Sequence, residues 1–228
     1  MIQPHGGKLV NRIVNEEKRD EMMTRAEKMP SLSLSTRELT EAENIAIGLY
    51  SPLEGFMLED DYENVVENMR LGDGTVWTIP IVLGTDRDKA EELKTGNEVA
   101  LTDSKGEIYG VLELEEKYTV DKTREAENVY GTDEEKHPGV AQVYNRGEVL
   151  LGGKINMLKR IKHNRFNKYR RDPVKVREYI EEKGWKRVVG FQTRNPIHRA
   201  HEYLHNCALE IVDCLLLSPL VGETNSSD

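Results

Sequence analysis

A chain of 228 residues with 37% hydrophobic and 32% charged residues can bury a real core in one or two domains, which excludes a disordered composition. Lys and Arg number 32 against 41 Asp and Glu, and the net charge of −9 argues against a general nucleic-acid binder. Cys207 and Cys214 are the only cysteines, with no CxxC, so a disulfide framework is not expected and a reducing compartment fits.

At the N-terminus, MIQPHGGK lacks a basic segment followed by an apolar stretch, so no signal peptide of the ordinary kind is expected. No apolar run approaches the roughly 18 residues that span a bilayer. A soluble, cytoplasmic protein with no membrane partner is the expectation. A helix is expected from Thr40, which has capping-box spacing to Glu43, through Leu49. Another begins near Asp60 or Asp61 and carries Tyr62, Val65, Val66 and Met69 at helical spacing. After the turn at Gly72-Asp73-Gly74, residues 76–83 read as an apolar strand, with Pro80 marking an edge or a bulge. A short helix over 87–93 follows, then strands over 98–101 and 108–114 joined by the turn Ser104-Lys105-Gly106. Residues 149–155 read as a further strand with a glycine bulge at Gly152-Gly153. Short strands between frequent turns indicate a small, partly helical β-barrel over residues 1–165. The basic stretch from Lys159 to Arg171 reads as a solvated segment or a linker.

The pattern changes over residues 166–228. Asp172 and Pro173 make an N-cap and first-turn pair for a helix over 174–183, and Gly184 ends it. A strand over 187–191, a polar loop, a helix over 197–212 and a strand over 214–217 follow. This αβαβ order opens a parallel α/β domain, of which only two strands precede the end of the chain. The last residues, 222–228, read as a polar loop, and the chain as an N-terminal fragment or a truncated protein that lacks most of its catalytic sheet. Both cysteines, lacking an activating base nearby in sequence, are expected as buried packing residues.

The loop carries the chemistry. Ligands of open α/β sheets bind beyond the carboxyl ends of the strands, where Gln192-Thr193-Arg194-Asn195-Pro196 lies. The helix behind it offers free N–H groups and a partial positive charge to anions. Arg194 can engage two oxygens of a sulfate or phosphate at once, and Gln192, Thr193 and Asn195 add neutral donors. His198 and His201, at i and i+3, share a helical face and can each donate to an oxyanion. His198, His201 and His205 could instead form a zinc-binding face. No carboxylate or cysteine is placed to complete that set, HExxH is absent, and no metal ligands are assigned.

The run GFQTRNPIHRAH, residues 190–201, resembles the active-site signature of the ATP sulfurylases (sulfate adenylyltransferases). PHGGKLVNR at 4–12, AIGLYSPLEGFM at 46–57, HPGV at 137–140 and PLVGET at 219–224 also resemble segments of that family, in its kinase-less archaeal and sulfate-reducer-like forms. The resemblance implies a PUA-like barrel over 1–165, followed by the start of a Rossmann-like nucleotidyltransferase domain. It implies an enzyme that joins MgATP and sulfate into adenosine 5′-phosphosulfate and pyrophosphate. Mg2+ would arrive with ATP, no tightly bound cofactor would be held, and the full-length protein would be a homodimer. By the same resemblance, Gln192 and Arg194 would hold sulfate. ATP would be contacted by Gln192, Thr193, Arg194, Asn195, His198 and His201, the last five of these forming the catalytic group.

The chain departs from the family pattern in two places: Ser218 and Asn225 stand where His and Lys are common, and the second nucleotide motif, Gly-Arg-Asp-His, has no match. Two other readings compete. A PUA-like RNA-binding module would have residues 159–171 as its footprint, against the net charge and the 6% aromatic content. A different nucleotidyltransferase with an HxxH site would keep the histidines and change the acceptor.

Overall fold

The computed structural model describes residues 2–220. The described residues divide into two compact units, one of Pro4–Pro173 and one of residues 174–220 together with Ile2 and Gln3. Asn225 and the polar loop expected over 222–228 lie outside the described residues.

A six-stranded sheet organises the first unit. Its order is β1 (Ser31–Ser33), β4 (Glu98–Thr102), β5 (Ile108–Thr119), β6 (Val149–Met157) and β2 (Gly55–Phe56), with β3 (Leu83–Thr85) also pairing β6. Only β1 and β4 run parallel; the other pairings are antiparallel. The turn between β4 and β5 is held by Asp103, whose Oδ1 accepts from the N–H groups of Lys105 and Glu107, both at 2.9 Å. The bulge expected in the glycine strand lies on its partner. Leu114 pairs with Gly153 and Glu116 with Gly152, so the extra residue is Glu115 of β5. The glycines serve close approach instead. A Cβ on Gly55 would sit 1.9 Å from the Gly153 carbonyl oxygen, and one on Gly153, at φ +149, would sit 2.0 Å from that of Glu113.

Residues 76–83 do not form the expected strand. Val76 makes a lone bridge to Arg70, the Trp77 indole N–H donates to the Ile79 carbonyl at 2.8 Å, and pairing with β6 starts only at Leu83. Pro80 removes a ladder donor within this run. The first helix expected also starts earlier, as α2 (Thr36–Ala46). Ser35 and Glu38 form its capping box, the Glu38 carboxylate accepting from the Ser35 N–H at 2.8 Å. Thr40 lies one turn inside and donates its hydroxyl to the Thr36 carbonyl, while Glu43 is buried and accepts from Arg160 Nε at 2.7 Å and the Ile161 N–H at 2.9 Å. The helix expected near Asp60 is α3 (Glu59–Asn68), and the short one that follows is α4 (Arg87–Glu92). Three helices had no counterpart in the sequence reading: α1 (Glu16–Ala26), α5 (Lys122–Tyr130) and α6 (Pro138–Asn145). The last begins at the His137-Pro138 pair, where His137 Nδ1 accepts from the Gly139 N–H at 3.2 Å and Pro138 fills the first helical turn.

Alternation along β6 serves two cores. Leu151 and Ile155 join Leu39 and Ile45 of α2 with Leu112 of β5, while Leu150 joins Tyr62, Val66 and Tyr118. Fully burying one such leucine contributes about 1.5–3 kcal/mol. The second core borders a buried polar group. Glu125 is 2% exposed and accepts from the Tyr62 hydroxyl at 2.7 Å and from Arg146 Nη1 and Nη2 at 3.1 and 2.5 Å. Beyond β6, residues 158–171 hold one short 3-10 turn, Asn167–Tyr169, and Arg160 also pairs with both carboxylate oxygens of Asp172.

The second unit is α7 (Pro173–Glu182), β7 (Val188–Thr193), α8 (Arg199–Leu209) and β8 (Cys214–Pro219). β7 and β8 pair in parallel, so β7–α8–β8 is a βαβ unit of a Rossmann-like α/β layer. Cys207 is exposed and Cys214 only half-buried, contrary to the expectation that both pack inside. The sheet-facing side of α8 carries His201 and His205, and Cys207 lies about 200° further round from His205. Among the described residues no helix is long and apolar enough to cross a membrane.

Candidate active site

The site is built where β7 ends. Register at the start of β7 and β8 is fixed by Asp213, whose carboxylate accepts from the N–H groups of Arg187 at 2.8 Å and Lys186 at 2.9 Å. Those two bonds hold the Asp213 carboxyl below its usual range. At the other end Thr193 pairs with Pro219, and its carbonyl accepts from the Leu220 N–H at 2.8 Å. The strand therefore runs two residues further than expected, and Gln192 and Thr193 belong to β7, not to the loop.

Strand alternation then sorts the side chains. Gln192 is exposed, whereas Phe191 and Thr193 share the opposite, more buried face, with Thr193 6% exposed. The Thr193 hydroxyl accepts from the Asn195 N–H and donates to the Asn195 carbonyl, both at 3.1 Å. It is thus committed to folding the loop back on itself. Arg194, Asn195, Pro196, Ile197 and His198 are all exposed.

The helix begins later than Pro196 indicates. His198 is extended at φ −128 and ψ 175 and occupies the N-cap, and helical residues start at Arg199. The His198 side chain makes no capping bond, so no side chain of the cap competes for the N–H groups of the first turn. The two histidines do come together: their rings stack with centroids 3.9 Å apart and planes 27° apart. His201 also meets the Phe191 ring edge-on at 5.4 Å, and His205 meets it at 4.4 Å. His201 Nδ1 and His205 Nε2 are buried without a hydrogen-bond partner among the described residues. Phe191 is the residue the sequence reading passed over as plain strand. Its signal was the period-two alternation with Thr193, which turns it toward the helix. A surface groove lined by His198, Arg199, Glu202, His205, Asn206 and Leu215 follows α8 away from the loop. Among the described residues no group of three or more His, Cys, Asp and Glu side chains is arranged to hold a metal ion.

The arrangement suits a polyanion. It offers an exposed guanidinium and two exposed amides at the carboxyl end of a parallel strand, a helix N-terminus free of a side-chain cap, and two stacked imidazoles beside it. Residues 2–160 match the PUA-like domain family and residues 167–228 match the ATP-sulfurylase family. All of the chain aligns with the sulfate adenylyltransferase of Halothermothrix orenii at 61% identity, covering 60% of that protein. It aligns with the sulfate adenylyltransferase of Microcystis aeruginosa at 53% identity, covering 58%. A solved structure described as a hexameric APS kinase from Thiobacillus denitrificans superposes with a TM-score of 0.77 at 29% identity, over 98% of this chain and 40% of that one. The chain thus spans about three fifths of the length of these curated relatives. Residues 2–160 belong to the PUA-like domain family, and the whole chain is similar to sulfate adenylyltransferases.

Proposed function

We propose that the protein to which these residues belong joins sulfate to the α-phosphate of MgATP, giving adenosine 5′-phosphosulfate and pyrophosphate. One observation carries the reading: Gln192, Arg194 and Asn195 stand exposed at the carboxyl end of β7, directly before a helix N-terminus flanked by the stacked pair His198 and His201. The names of the relatives support the same reaction.

In the proposed step a sulfate oxygen forms a bond to the α-phosphorus. The bond from that phosphorus to the bridging oxygen breaks on the opposite side, and its electron pair leaves with pyrophosphate. No protein nucleophile is needed, so catalysis rests on orientation and on donors aimed at the oxygens that gain charge. Gln192 and Arg194 hold sulfate, with the guanidinium fork taking two of its oxygens. Gln192, Arg194, Asn195, His198 and His201 contact the triphosphate. Thr193 lines the centre and acts through the loop conformation its hydroxyl sets. Mg2+ enters as part of the nucleotide substrate. Residues 1–165 as one domain and 166–228 as the start of the nucleotidyltransferase domain, a homodimeric full-length protein and a cytoplasmic location belong to the same reading.

The test is sulfate-dependent exchange of labelled pyrophosphate into ATP by the full-length protein. Arg194→Ala is expected to abolish exchange, and near-normal exchange in that variant would refute the role given to Arg194.

A further inference from the structure

Phe191 stands on β7, outside the polar loop, yet its ring meets two histidines of α8. Its ring lies 5.4 Å from that of His201 at 66° and 4.4 Å from that of His205 at 83°, both edge-to-face. His201 and His205 are one turn apart on α8, so one aromatic ring braces two successive imidazoles. On its other side His201 is covered by the His198 ring at 3.9 Å. His201 is therefore held on two sides, by a ring from the strand and a ring from the helix cap. Its Nδ1 is turned into this packing, buried and without a partner among the described residues, which leaves Nε2 as the nitrogen able to meet a ligand. His205 is turned the opposite way, with Nε2 buried and unpartnered.

From this geometry we infer that Phe191, itself seated against His205, is a positioning residue that locks the ring plane of His201 and fixes Nε2 as the atom it presents to a phosphate oxygen. A histidine side chain turning freely about its terminal torsion samples a broad range of ring planes. A donor aimed in advance loses less freedom on binding. The edge-to-face contacts supply that aim without placing a second polar group in the site. The inference rests on the phosphate-holding role proposed for His201, and its test separates the two.

The test uses the 228-residue chain with labelled histidine rings, read by ring 1H–15N and 1H–13C NMR, with inorganic pyrophosphate as the probe. In the unmodified chain the His201 ring protons are expected to be displaced by the Phe191 ring current, and the neutral ring to carry its proton on Nε2. Phe191→Leu keeps apolar volume and is expected to lose that displacement and to weaken pyrophosphate binding about two- to tenfold, the value of one aromatic pair. Phe191→Tyr keeps a ring and is expected to restore both. An unchanged His201 ring signal in Phe191→Leu overturns the lock, as does failure of Phe191→Tyr to restore it. If Phe191→Leu disrupts β7, His205→Leu removes, from the helix side, the ring against which Phe191 is seated. It must then shift the His201 ring signal, and no shift overturns the inference. Loss of the ring displacement in Phe191→Leu, in a chain where pyrophosphate moves neither His198 nor His201, supports the lock and overturns the phosphate role.

Discussion

His198 and His201 lie ring on ring, 3.9 Å between centroids, although His198 belongs to the N-cap of α8 and His201 to its first turn. Under the proposed reaction these two imidazoles would meet one triphosphate and act as a unit. Replacing either by Ala in the full-length protein is expected to lower sulfate-dependent pyrophosphate exchange about 10²–10³-fold, the cost of losing one aimed donor. The double variant is expected to lose little more than the worse single one. Losses that multiply in the double variant would show two independent sites.

Much of this site could be read in the residues, because each part has a local cause. An apolar run, a polar loop with Arg and Pro, and a histidine pair at i and i+3 name a strand, a turn and a helix face without long-range information. The helix start was misplaced because Pro196 looks like a first-turn residue, whereas His198 is itself extended and helical residues start at Arg199. The Phe191 brace needed knowledge of how β7 faces α8. The same limit explains α2. Ser35/Glu38 and Thr40/Glu43 have identical capping spacing, and what separates them is that Glu43 is drawn inside by Arg160, 117 residues away. Residues 76–83 have the composition of a strand, but pairing with β6 begins only at Leu83.

Alkaline pH offers a test of the second core. Tyr62 is fully buried and Tyr118 is 5% exposed, and burial raises the pKa of both above the ordinary tyrosine range, with the Glu125 carboxylate adding to the effect at Tyr62. In the unfolded chain each phenol gives up its proton near pH 10, while the folded chain keeps it. The folded state then binds more protons, so stability is complete below about pH 10 and falls above it. The slope approaches about 1.4 kcal/mol per pH unit for each tyrosine. Urea unfolding between pH 8 and about 11 checks this. Tyr118→Phe should flatten the decline by about half, and an unchanged slope would show that these phenols are not responsible.

Arg146 and Glu125 form an ion pair whose side chains are 14% and 3% exposed, so each depends on the other for compensation of its charge. Arg146→Met leaves a buried carboxylate with the Tyr62 hydroxyl as its remaining donor partner and is expected to cost about 3–5 kcal/mol. Removing both charges as Arg146→Met with Glu125→Leu should recover most of that loss, because no uncompensated charge is left. Denaturant midpoints of the two singles and the double give the coupling. A double variant as unstable as the sum of the singles would mean that packing, not charge, holds α5 and α6 together.

Among the described glycines of the first unit, an added Cβ would meet its nearest neighbour at the shortest distance at Gly55, and this predicts a contrast between two glycines. A methyl on Gly55 would stand 1.9 Å from the Gly153 carbonyl oxygen and 2.5 Å from the Lys154 Cα, both backbone atoms that no rotamer change can move. β2 would have to separate from β6, breaking the Gly55–Lys154 and Phe56–Gly153 pairing and opening the core around Phe56. Gly55→Ala is therefore expected to cost about 3 kcal/mol, the upper range for forced overpacking. Gly74, at φ +86 in the turn before Trp77, has nothing within 4 Å of an added methyl. Gly74→Ala meets only the left-handed backbone penalty, about 1–2 kcal/mol. Guanidinium unfolding of both variants decides the matter: equal losses would mean that β2 moves aside at little cost, and that the paired glycines are not what seats it on the sheet.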